Sequence, residues 1–204
     1  MPDRIAVDLL RMARDPGSGR LRHRSSLDIA LRAALFSELA LNGQIVDQVN
    51  APSLTSPEPT GDRIFDGIRG AVEARPNVTW RRWFRHVRID RTTLSAELVD
   101  AGRWRRTRSW PAAFADAEAE EAQALAFEIN RVVAFDRAPV DSREAVLTLL
   151  AVASGASGRR PRPAAVRREL KSLLDSINHH TAQKIVVTAA TVIRRDRRGL
   201  GTVR

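Results

Sequence analysis

Cysteine is absent from all 204 residues, which excludes a disulfide framework and a thiolate metal site and fits a reducing cytoplasm. No apolar run reaches the roughly 20 residues needed to span a bilayer. The N-terminus lacks the basic, apolar and small-residue succession of a secretion signal, so a cytoplasmic protein is expected. No repeat of 20 to 50 residues and no long heptad run is present, which excludes solenoids and coiled coils. Signals for catalysis are equally scarce. His179 and His180 are neighbours and point to different faces of a helix, so they make a poor metal pair. The GSGR of residues 17–20 lacks both the preceding strand and the Lys-Ser/Thr of a phosphate loop. No serine stands in a nucleophile elbow. Neither an enzyme nor a cofactor is expected.

What the chain does have is the stretch LDIALRAALFSELALNG at 27–43. Eleven of its first fifteen residues are apolar. Wound as a helix, it gathers Asp28, Arg32, Glu38 and Asn42 into an arc of roughly 120° and leaves almost everything else apolar. Such a helix is buried nearly all round. Ser25 or Ser26 can cap its start, and Gly43 can end it. Arg32 lies on its polar stripe and needs a partner wherever that stripe is covered. Asp28, one turn earlier, is the structural choice.

The remaining chain reads as helices joined by turns. Residues 3–14 form an amphipathic helix stopped by the Asp15–Gly19 turn, and residues 50–61 form a loop rich in Pro, Ser and Thr. Asp62 caps a helix to about Arg75. Residues 79–87 place Trp80, Trp83, Phe84 and Val87 inward. Asp90 caps a helix that ends at Gly102, with Arg91 in its first turn, where a cation opposes the macrodipole and an anion would be welcome. Residues 103–110, RWRRTRSW, read as a hairpin. Pro111 opens a long helix to about Phe135. Asp141 and Glu144 look like a capping box before a second apolar helix, whose core is 145–153. Two more helices, at about 164–175 and 179–195, close the chain. The sum is one all-α domain over residues 1–204, a central buried bundle surrounded by amphipathic helices, with one short β-hairpin.

The formal net charge is +10, from 34 basic residues that are almost all arginine and 24 acidic ones. It is polarised: residues 81–108 hold nine arginines and His86, whereas residues 112–130 carry only acids. Such a field attracts nucleic acid, anionic lipid or an acidic protein surface. Nucleic acid is disfavoured as a partner, because no helix-turn-helix pair stands out and the basic residues accompany tryptophans instead of a polar recognition helix.

Several ordered segments carry a resemblance: LLRMARDPGSG near the start, LRAALFSELALNG at 31–43, PTGDRIFDGI at 59–68, TWRRWF at 79–84, RIDRTTLSAELVDAG at 88–102 and LTLLAVAS at 147–154. In their order and spacing the chain resembles the Golgi phosphoprotein 3 family, in its bacterial form. The resemblance implies a helical fold with a projecting hairpin and a flat basic surface that binds phosphatidylinositol 4-phosphate at the cytoplasmic face of a membrane. It also implies the headgroup contacts. The core-helix arginine falls on Arg32, the basic pair on Arg88 and Arg91, and the family's tryptophan position on His23. The self-association hairpin corresponds to 103–110, where Trp104 and Trp110 would meet a partner subunit in a homo-oligomer or dip into the membrane. The basic arm that engages vesicle coats in eukaryotic members has no counterpart before the first helix, so no coat protein is expected. The expected function is therefore a peripheral membrane protein that binds an anionic inositol phospholipid. The alternative is a basic helical adaptor for protein or nucleic acid that has lost the lipid site.

Overall fold

The apolar stretch becomes helix α2 (Arg24–Leu41) in the computed structural model, which describes residues 4–108, 112–134, 137–158 and 170–199. Leu27, Leu31, Leu35, Phe36 and Leu39 of α2 are completely buried. Gly43, at φ +69°, ends the helix: its N–H donates to Ala40 O at 2.8 Å and the next N–H, of Gln44, to Leu39 O at 2.9 Å. The start differs from expectation. Neither Ser25 nor Ser26 caps it; His23 holds the N-cap position in the left-handed region and gives no side-chain cap.

Around α2 pack α1 (Ile5–Ala13), α7 (Ser142–Ser154) and α8 (His180–Gly199), with α4 (Trp80–His86) and α5 (Arg91–Asp100) along its side. The expected second core segment is α7, where 145–151 are buried. Phe36 sits against a wall of aromatics from α4, with ring centroids 5.4 Å from Trp80, 5.8 Å from Trp83 and 6.2 Å from Phe84. Pairs of this kind contribute about 0.5–1.5 kcal/mol each beyond their buried area. Helix α3 (Arg63–Glu73) is capped as predicted, the Asp62 carboxylate accepting from the N–H groups of Ile64 and Phe65. The other oxygen of that carboxylate meets buried Arg4, which also donates to Glu97 at 2.7 Å.

Among the described residues there are two antiparallel hairpins where the sequence suggested one. Strands β1 (Ile45–Gln48) and β2 (Ala51–Leu54) pair Gln48 with Ala51, so only Val49 and Asn50 form the turn. Both have positive φ, 50° and 67°, the conformation that a two-residue hairpin turn of type I′ demands. No glycine advertises this turn: in sequence 43–49 reads as a brief extended run and 50–61 as a loop.

The second hairpin lies further along than expected. Strand β3 (Trp104–Arg108) pairs with β4 (Ala113–Asp116), and α6 begins only at Ala119 and runs to Val133. Residues 113–116 are therefore a strand and not the first turn of a helix opened by Pro111. Two side chains hold them there. The Phe114 ring lies 5.0 Å from that of Trp104, and buried Asp116 accepts from Arg11 Nε at 3.2 Å. Trp104 is 2% exposed. It packs on its own domain, so it is not the group that a membrane or a partner would meet; Trp110 lies outside the described residues. Arg105, Arg106, Thr107 and Arg108 are what β3 exposes. The expected 164–175 helix falls mostly outside the described residues, of which 170–175 are helical.

Candidate functional site

Each charged residue on the polar stripe of α2 fastens a different element. Glu38 accepts from the Ile5 N–H at 2.9 Å, at the start of α1, and from Arg143 of α7 at 2.8 Å. Arg32 reaches the other way. Its Nε donates to Ile89 O at 2.8 Å, and its Nη1 donates to Phe84 O at 2.8 Å and to Arg85 O at 3.4 Å. The Phe84 and Arg85 carbonyls belong to the last turn of α4, where a helix leaves acceptors unbonded and carries partial negative charge. Arg32 therefore caps α4 and pins the connection 87–90 onto α2. Burial pushes the Arg32 guanidinium below its ordinary value, Asp28 and Asp90 pull it back, and nearby Arg91 pushes the same way as burial.

The Arg32–Asp28 pair suggested by helical spacing does not form. Asp28 turns to α5 instead: one carboxylate oxygen accepts from the Arg91 backbone N–H at 3.0 Å and the other pairs with the Arg91 guanidinium. Asp90 adds its own cap, accepting from the N–H groups of Thr92 and Thr93 at 2.8 and 3.2 Å. An arginine in the first turn of a helix looked unfavourable in sequence. Two carboxylates of the chain itself offset it.

Arg88 lies in the same connection, one residue before the carbonyl that Arg32 holds. It is exposed, and no ion pair engages it among the described residues. Arg88 and Arg91 thus flank Ile89, whose carbonyl Arg32 holds, with Arg32 committed mainly to carbonyls and Arg91 shared with Asp28.

His23 joins a neighbouring group at the meeting point of α2, α7 and α8. A Cβ added at Gly155, just after α7, would come within 3.0 Å of the His23 ring. Arg197 of α8 donates to Ser26 Oγ at 3.2 Å and to Ser154 O at 2.7 Å. In the charge run RRDRR at 194–198, the chain after Asp196 reads in sequence as a fraying tail, yet Arg197 lies within α8 and braces α2 against α7. The Arg85–Asp196 ion pair, 2.7 Å long, ties α4 to α8 and so links the two groups. The clue was the charge run itself, but nothing local says which of its members turn inward.

A family model described as Golgi phosphoprotein 3 (GPP34) matches residues 5–193. The chain belongs to the Golgi phosphoprotein 3 family. A comparison with curated proteins finds no match. The span matched to the Golgi phosphoprotein 3 model contains His23, Arg32, Arg88 and Arg91 and stops just short of Arg194 and Arg197. Among the described residues of this family member, no helix is long and apolar enough to cross a membrane, and no group of three or more His, Asp or Glu could hold a metal ion.

Proposed function

We propose that this chain is a non-catalytic peripheral membrane protein that binds an anionic inositol phospholipid, of the phosphatidylinositol 4-phosphate type, at the cytoplasmic leaflet. Arg88 and Arg91 take the phosphate, and Arg32 holds the segment that carries them. The observation that supports this most is the pinning of 87–90 by Arg32, which presents exposed Arg88 beside the start of α5 from a fixed backbone. A fixed backbone leaves only the side chain to be ordered on binding, and a phosphomonoester offers a guanidinium bidentate, charge-assisted hydrogen bonds. His23, where the family resemblance implies tryptophan, contributes to the adjoining surface and offers no apolar anchor.

The alternative is a basic adaptor for protein or nucleic acid, and it draws on exposed Arg105, Arg106 and Arg108 of β3. Flotation with liposomes at physiological salt separates the two. Specific binding gives a preference for the inositol phospholipid over phosphatidylserine at equal charge, and Arg88→Ala weakens it by roughly tenfold. Arg75→Ala, at the end of α3, removes the same charge without that loss. Equal binding to every anionic surface, falling steeply with salt and indifferent to which arginine is removed, would support the adaptor.

A further inference from the structure

A cavity of about 770 Å³ opens between α7, α8 and the 170–175 helix, within the roughly 300–1,000 Å³ typical of small-molecule sites. Its walls are aliphatic: Leu149 and Val152 from α7, Leu174 from the 170–175 segment, and Val186, Ala190 and Ile193 from α8. Its charged lining has one sign. Lys171, Arg194 and Arg197 stand among the lining residues, beside His23, and none of the described lining residues is a carboxylate.

We infer that this cavity binds a long-chain carboxylate, with the chain among the aliphatic side chains and the carboxylate among the cations. An uncharged hydrocarbon would gain nothing from those exposed cations, and a small anion would leave the apolar walls in water. A single-chain anionic amphiphile satisfies both at once. The long stems of Lys171 and Arg194 can extend the apolar wall while their heads stay in water. Arg197 is already tied to Ser26 and Ser154, so it supplies a fixed positive charge more than a free donor. The cavity is distinct from the arginine cluster at 87–91, and failure of the Arg88 experiment would leave it standing.

The test is fluorescence titration of the delipidated full chain with cis-parinaric acid, a long-chain carboxylate that brightens in apolar surroundings. Saturable one-to-one binding is expected, displaced by oleate, far less by methyl oleate, and not by acetate. Ala190→Phe and Ala153→Phe intrude on the cavity from opposite helices, and each should weaken binding by roughly tenfold or more at unchanged helical content. Lys171→Ala combined with Arg194→Ala should weaken it several-fold and flatten its salt dependence. Absence of saturable binding, as would follow if another part of the same chain filled the cavity, overturns the inference. So does binding undiminished in both phenylalanine variants, or equal displacement by oleate and its methyl ester.

Discussion

Asp28 offers the sharpest perturbation, because stability and lipid binding should move in opposite directions. In the free protein its carboxylate occupies the ground where a headgroup phosphate would sit, bonded to both the backbone N–H and the guanidinium of Arg91, with side-chain exposures of 27% for Arg91 and 17% for Asp28. Asp28→Asn keeps a carbonyl that can still accept from the Arg91 N–H and removes the charge. A charge-assisted hydrogen bond contributes about 1.5–3 kcal/mol and a neutral one about 0.5–1.5, so the fold should lose roughly 1 kcal/mol. A phosphate arriving at Arg91 would at the same time be relieved of a like charge close by. Two unit charges about 4 Å apart repel by about 1 kcal/mol in bulk water and about 4 at the effective dielectric near a protein surface. Even the lower figure makes binding roughly fivefold tighter. Flotation with liposomes containing the inositol phospholipid, alongside urea unfolding, reads both quantities. Binding that is unchanged or weaker in a folded Asp28→Asn protein would refute the placement of the phosphate at Arg91.

Other expectations follow from the same contacts. Arg32→Ala strands the carbonyls of Phe84 and Ile89 and should cost about 2–4 kcal/mol in urea unfolding; Arg32→Lys should recover only part of this, since one ammonium does not reproduce the planar fork. Asp47 answers to pH: burial pushes its carboxyl up, but Lys184 Nζ at 2.7 Å and the Trp80 indole N–H at 2.6 Å outweigh this and hold it below its ordinary value. Because the folded value is lowered, its contribution is fully present above about pH 4 and fades as the pH falls through the folded value. Asp47→Asn should flatten that acid limb in a series of thermal melts. Trp104→Ala, which removes a buried ring packed beside that of Phe114, should destabilise by about 3–5 kcal/mol, while light scattering finds the mass of the folded fraction unchanged.

Much of the scaffold was legible because its signals are local. Asp62 and Asp90 cap as their types suggest, Gly43 stops α2 with a positive φ, and the apolar runs of α2 and α7 end up buried. What sequence missed depended on partners far along the chain. Residues 113–116 have the composition of a helix start, and they become a strand because Phe114 meets Trp104 and Asp116 meets Arg11. Helical spacing pairs Asp28 with Arg32, whereas unbonded carbonyls at the end of α4 compete for the arginine and the start of α5 competes for the aspartate. The Val49–Asn50 turn carries no glycine to announce it. Arg32 and Arg91 stood out by their helical positions, Arg88 and His23 only through the family resemblance; their different degrees of engagement were not readable at all.

Whether an inositol headgroup phosphate binds where α5 begins, between Arg88 and Arg91, is decided by a crystal of the protein soaked with inositol 1,4-bisphosphate. A phosphate within hydrogen-bonding distance, about 3 Å, of both guanidinium groups is expected, with Asp28 drawn off Arg91. A phosphate bound on β3 or elsewhere, with the Asp28–Arg91 pair intact and Arg88 unengaged, would contradict it.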